Sequence, residues 1–123
     1  VNNQEKGRQG EDRAAAFLEA AGYRVLARNY RCVYGEVDIV ALDPAVPEQT
    51  IFIEVKYRKT GTRGNPWEAV NRTKQQRIIR TSAAYLREHG GMKGQVRYDV
   101  LEMDDRKVVH HPCAFDASGM RGI

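Results

Sequence analysis

The sequence has only two cysteines, Cys32 and Cys113, which lie in separate segments without C-x-x-C spacing. That pattern supports neither a disulfide framework nor a thiolate zinc site, so both are expected to be reduced, structural thiols. Long apolar runs are also missing, and none approaches the roughly 20 residues needed to cross a bilayer. The opening stretch VNNQEKGRQGEDR is polar and mixed in charge. It lacks the apolar segment of a secretory signal, which makes the cytoplasm the expected compartment. No repeat, low-complexity tract or Pro/Gly/Ser linker divides the chain, and 123 residues suit one buried core. The expectation is a single domain over residues 1–115 with a short tail at 116–123. His110 and His111 are adjacent, so on a strand they point to opposite faces and do not share a metal; they are expected at a surface or sheet edge.

Charge, in contrast, is plentiful and unevenly placed. The net +4 divides into a segment from Lys56 to Arg97, with eleven basic and two acidic residues, and a remainder with nine basic and fourteen acidic. A basic stretch beside an acidic cluster suits a protein that grips a polyanion with one surface and holds cations with another.

Hydrophobic periodicity gives the order of elements. Residues 4–21 read as a helix, because Ala14, Phe17, Leu18 and Ala21 recur on one face and Gly22 follows as a stop. YRVLARNY (23–30), EVDIVAL (36–42) and TIFIEVKY (50–57) read as strands joined too closely for crossover helices, and so as antiparallel neighbours. Asn65, Pro66 and Glu68 form a helix-start signal, and Thr73 with Gln76 forms a second. The latter opens a helix through about His89, with Ile79, Ala83 and Leu86 as its apolar face and Gly90 and Gly91 ending it. QVRYDVLEM (95–103) and KVVHH (107–111) read as strands joined by a tight turn at Asp104, Asp105 and Arg106. The order α-β-β-β-α-β-β implies an α/β fold with a mixed sheet covered by helices, rather than a doubly wound parallel sheet.

Several charged residues stand where an apolar strand has no use for them. Ile51, Phe52, Ile53, Val55 and Tyr57 make both faces of their strand apolar, yet Glu54 and Lys56 interrupt it. Two apart, they share a face, so a carboxylate and an ammonium can serve one site. Asp38 is likewise enclosed by Val37, Ile39 and Val40 on the neighbouring strand, with Gly35 before it suited to a turn or a close backbone approach. Two carboxylates on adjacent strands repel each other unless a positive charge lies between them, and that arrangement binds Mg²⁺. Glu11 precedes Ala14, Ala15 and Leu18 by helical spacing and so falls on the buried face of its helix, unlike Asp12 and Glu19.

Taken together, these stretches resemble a known family. They are G-x-x-G-E-D (Gly7 to Asp12), GYRVLARNY (Gly22 to Tyr30), GEVDIVA (Gly35 to Ala41), FIEVKYR (Phe52 to Arg58), KQQR (Lys74 to Arg77) and RYDV (Arg97 to Val100). The chain resembles the uncharacterised YraN-type bacterial family, which is similar to archaeal Holliday-junction resolvases in the PD-(D/E)xK, restriction-endonuclease-like nuclease superfamily. The resemblance implies a metal-dependent nuclease with Asp38, Glu54 and Glu11 as metal ligands and Lys56 as the catalytic lysine. Val37 stands where the superfamily's name motif has proline. Gln75 or Gln76 corresponds to a glutamine that some relatives place beside the site. Mg²⁺ or Mn²⁺ held by Asp38 and Glu54, with Glu11 through water, would neutralise the scissile phosphate and acidify a water that Lys56 orients or helps deprotonate.

Arg58, Lys59, Arg63, Lys74, Arg77 and Arg80 follow the site along the chain and are expected to hold flanking phosphates. DNA is favoured over RNA, and the cleavage is either nonspecific or selective for structures such as branches or ends. Branch-selective relatives usually work as dimers, so a homodimer is one expectation, with Trp67 and Tyr34 either at its interface or in ordinary packing. Two other readings compete: a nucleic-acid-binding module that keeps the fold without turnover, and a protein-interaction scaffold whose charges form a buried ion-pair network.

Overall fold

The computed structural model describes residues 3–58, 70–90 and 94–117, with side chains from Gln9 onward. Its elements are α1 (Asn3–Ala20), β1 (Arg24–Cys32), β2 (Gly35–Leu42), β3 (Gln49–Tyr57), α2 (Arg72–Glu88), β4 (Gln95–Met103) and β5 (Val108–Phe115). The strands form one sheet in the order β1-β2-β3-β4-β5. β3 and β4 pair in parallel and every other neighbour pair is antiparallel, as the short connections require. Parallel pairing needs a long crossover, and α2 lies within it.

The central strands are apolar on both faces because each face is covered. Ile39, Ala41, Ile51, Ile53, Leu101 and Met103 pack against Ala14 and Leu18 of α1. On the opposite face, Val40, Phe52, Tyr98 and Val100 pack against Ile78, Tyr85 and Leu86 of α2. Alternation along β3 therefore sends Ile51 and Ile53 to α1 but Phe52 and Glu54 toward α2. This choice of face puts Glu54 under a basic helix. No helix among the described residues is long and apolar enough to cross a membrane.

The structure adjusts several of the expected elements. β1 continues through Cys32, and β5 runs through Phe115 despite Pro112, because extra residues of β5 bulge opposite Asp99 and release Pro112 from the ladder. The cap of α2 is Asn71, whose Oδ1 accepts the Lys74 N–H at 2.9 Å, rather than Thr73. Its buried face is Ile78, Thr81, Ser82, Tyr85 and Leu86, with Ile79 and Ala83 only partly buried. The turn after β4 is as expected, since Asp104 Oδ1 accepts the N–H groups of Arg106 and Lys107. The helix-start signal at Asn65, Pro66 and Glu68 and the aromatic Trp67 lie outside the described residues. Cys32 and Cys113 are both free thiols.

Candidate active-site cleft

Asp38 and Glu54 come together because β2 and β3 are neighbours and their ladder opens beside them. The registered pairs run from Ala41–Ile51 through Val40–Phe52 to Ile39–Ile53. One step further, the Val55 N–H donates to Asp38 Oδ2 at 2.7 Å, so a side-chain carboxylate occupies a place where a backbone carbonyl would continue the ladder. Glu54 is 6% exposed and faces α2, where Lys74 Nζ lies 2.7 Å from its Oε1. Both carboxylates line a cleft of about 430 Å³, with Glu36 beside them and Asn71, Lys74 and Arg77 on the helix side.

The electrostatics follow from this burial. Desolvation, reinforced by the Glu54 charge, pushes the Asp38 carboxyl up to about 7, against an opposing hydrogen bond from the Val55 N–H. Burial lowers the Lys74 ammonium, but its bond to Glu54 outweighs that effect and leaves it raised. The cleft thus holds two repelling carboxylates and a resident cation.

These shifts yield a pH-dependent prediction. Because the folded Asp38 carboxyl binds its proton more tightly than the unfolded one, its contribution is fully present below about pH 4 and is lost as pH rises through about 7. Without divalent ions, Asp38→Asn should therefore be more stable than wild type at pH 8, and the two should converge at acid pH. Thermal unfolding should show a Tm gain of more than about 4 °C at pH 8, roughly the shift that 1 kcal/mol produces in a domain of this size. Curves that keep a constant separation across pH would show that Asp38 is not held protonated.

The other expected site residues are distributed less tightly. Lys56 lies two residues beyond Glu54 on the same face of β3 and is half-buried, but it is not part of the cleft lining and makes none of the ion pairs found among the described residues. Glu11 lies on the inward side of α1, as its spacing implies, yet its carboxylate turns to β1. There Asn29 Nδ2 donates to Glu11 Oε2 at 2.8 Å, and Arg28 stands 3.9 Å away. Glu11 reaches Asp38 only as the smallest of the charges that raise it. Among the described residues no three of His, Cys, Asp and Glu are grouped to hold a metal.

Asn29 is a residue that sequence reasoning missed. It lies between Arg28, paired with Ile39, and Tyr30, paired with Val37, which places it opposite Asp38 with φ +53°. Asparagine is one of the few residues that tolerates this conformation. Its presence inside a strand-like run, where Asn is depleted, was the available signal.

The glutamines lie away from the cleft. Gln75 Nε2 donates to the Val70 carbonyl at 2.8 Å and anchors the start of α2, and neither Gln75 nor Gln76 lines the cleft. Among the basic residues, Arg77 lines the cleft and Arg80 is exposed one turn on, whereas Lys74 is committed to Glu54. Arg58 is half-buried against Glu102, an ion pair at 3.1 Å whose geometry falls short of a hydrogen bond. Lys59 and Arg63 lie outside the described residues.

A second charged constellation lies on the α1 face. Asp99 is 0% exposed and accepts from Arg97 Nε at 2.9 Å, Arg97 Nη2 at 2.8 Å and the Cys113 N–H at 3.0 Å, and His110 Nε2 stands 2.6 Å from its Oδ2. His110 is thus on the edge strand, as expected, but its ring is turned inward. The Cys113 contact falls where β5 bulges and Cys113 takes φ +55°, so the network fastens that irregular edge to β4. Every oxygen of Asp99 is occupied, which fits a structural role.

Fold and cleft define a small mixed α/β domain with paired carboxylates set between adjacent strands under a basic helix. Residues 10–103 match the uncharacterised protein family UPF0102, and the chain belongs to that family. A UPF0102 protein of Anaeromyxobacter dehalogenans (strain 2CP-C) is 38% identical over 120 residues, covering 94% of this chain and 87% of the relative. One from Nocardia farcinica (strain IFM 10152) is 42% identical over 114 residues, covering 89% and 87%. One from Chlorobium phaeobacteroides (strain BS1) is 47% identical over 96 residues, covering 77% and 73%.

Proposed function

We propose that this protein is a divalent-metal-dependent phosphodiesterase of the PD-(D/E)xK type, acting on nucleic acid and on DNA in preference to RNA. The observation that carries this reading is the pair of half-buried Asp38 and buried Glu54, set on adjacent strands and lining one cleft whose helix side carries Lys74 and Arg77. Hard carboxylate oxygens suit Mg²⁺ or Mn²⁺, and Mg²⁺ is commonly held by one or two carboxylates with substrate phosphate and water completing its shell. The lysine already lying on Glu54 marks a place where a positive charge is favoured. When bound, the ion supplies neutralisation of the scissile phosphate and a more acidic water.

The chain's own residues supply the rest. Asp38 and Glu54 hold the ion, and Lys56, on the same strand face, orients or helps deprotonate the attacking water. Glu11 supports the site from α1 through its bond with Asn29. Arg77 and Arg80 hold flanking phosphates without reading sequence. A second reading, a binding module without turnover, draws on the same Lys74–Glu54 contact, because a lysine already neutralising Glu54 leaves less need for a metal.

The test is a panel of single-stranded, duplex, flap and four-way-junction DNA plus RNA, with Mg²⁺ or Mn²⁺. Divalent-dependent cleavage of any member supports the nuclease. Binding without cleavage supports the module, and neither binding nor cleavage removes both. On the same panel, Arg77→Glu with Arg80→Glu should weaken binding of every substrate, and the slope of log K against log salt should become shallower by roughly 1 to 2. Divalent binding should persist, because neither arginine forms an ion pair with Asp38 or Glu54 among the described residues. An unchanged salt slope would show that this helix face does not meet the phosphates.

A further inference from the structure

The β1–β2 hairpin closes at the Cys32–Gly35 pair, which leaves Val33 and Tyr34 as its tip. Val33 is 92% exposed and Tyr34 46% exposed. Turn geometry does not ask for them. Neither residue has positive φ; Gly35, at φ +149°, takes up the unusual backbone conformation. Solvated turns favour Gly, Asn, Asp, Ser and Pro, so a Val-Tyr tip satisfies neither the turn nor the core. Local rules broken without a structural return point to function.

The position of the tip narrows that function. Gly35, the next residue, lines the Asp38–Glu54 cleft. A Cβ on Gly35 would lie 3.6 Å from Arg77 Cβ and 3.5 Å from Thr81 Oγ1, so the base of the hairpin is seated on α2 where Arg77 faces the cleft. Arg31 in the hairpin stem is paired with Glu36, whereas Arg77 lines the cleft beside Gly35 and makes none of the ion pairs found among the described residues. An exposed aliphatic and an exposed aromatic side chain therefore sit within two residues of a glycine that lines the cleft and is seated beside Arg77.

We propose that Val33 and Tyr34 contact nucleobases, and that the tip selects nucleic acid with unpaired or unstacked bases over continuous duplex. The inference rests on the nuclease reading. Phosphates offer nothing to apolar side chains, and in a continuous duplex the base faces are covered by their neighbours. Stacking and wedging are favourable where a step is already open, as at flaps, junctions and single-stranded ends. Tyr34 supplies a ring to stack on a base, and Val33 supplies a wedge beside it.

The experiment compares full-length wild type, the Val33→Ser/Tyr34→Ser double variant and Tyr34→Trp, with Ca²⁺ replacing Mg²⁺. Anisotropy is read on duplex, flap and four-way-junction DNA of equal length. Wild type should prefer the branched forms, and the double variant should lose about 5- to 100-fold in branched affinity while its duplex affinity holds within about twofold. Tyr34→Trp should keep the preference, and its added indole emission should be quenched by branched DNA but not by duplex. Both positions are exposed, so the variants should fold, which thermal unfolding checks. A double variant that discriminates like wild type overturns this inference and leaves the nuclease reading standing. A wild type that binds no nucleic acid overturns both. Loss of self-association in sedimentation with unchanged discrimination would also overturn it, assigning the tip to a second copy of the chain.

Discussion

Lys56→Ala should lower the rate of phosphodiester cleavage by about 10² to 10⁴ while leaving nucleic-acid affinity nearly unchanged. The two effects separate because they draw on different positive charges. Affinity is a sum over phosphate contacts, for which Arg77 and Arg80 are the exposed candidates among the described residues. Lys56 instead shares the strand face of the buried Glu54, two residues on, where one ammonium can act on one water. Single-turnover cleavage and anisotropy on the same substrate check both halves. A variant that loses affinity and rate in parallel would make Lys56 another phosphate contact.

Asp99→Ala should destabilise the protein by about 3–5 kcal/mol, although Asp99 lies outside the cleft. Burial pushes the Asp99 carboxyl up, but the bonds from His110 and Arg97 outweigh it and hold the carboxyl below the ordinary carboxylate value. Its contribution is present above about pH 4 and is lost as pH falls through that lowered value. Removing the carboxylate leaves the half-buried Arg97 guanidinium without its main partner, and it frees the bulge at Cys113. Against a usual total of about 5–15 kcal/mol, that loss is severe. Urea unfolding should show it as a fall in the midpoint, whereas Lys56→Ala should leave the midpoint close to wild type. A small change for Asp99→Ala would mean that the network is not what fastens β5.

The strands and the two central carboxylates were legible because each is a local statement. Alternation marks a strand, a double-sided apolar run marks an interior one, and a charge inside such a run needs either a partner or a chemical use. Asp38 and Glu54 stand out because two such charges fall on neighbouring strands, whereas either one alone reads as an ion pair or a strand end. Glu11 was legible only as far as its helix face; its turn toward Asn29 depends on a left-handed strand residue that periodicity does not reveal. Lys74 read as one more basic residue of a helix surface, because its contact with Glu54 depends on how the crossover lays α2 across the sheet. The Asn71 cap was hidden by the stronger-looking Thr73–Gln76 pair, which begins two residues into the same segment. Nothing local marks Asp99 as a buried hub: Arg97 shares its strand face, but His110 and Cys113 reach it only from β5, where that strand bulges beside β4.

The central claim is that Asp38 and Glu54 form a divalent-ion site completed by substrate phosphate, and Mn²⁺ calorimetry on wild type and Asp38→Asn, with and without a flap DNA, tests it most directly. Wild type should bind Mn²⁺ weakly alone, at roughly millimolar strength, and more tightly with DNA present, because the phosphate adds ligands that the protein does not supply. Asp38→Asn should lose both signals while keeping its fold and its affinity for DNA. Wild type that binds DNA but takes up no Mn²⁺ in its presence would contradict the account.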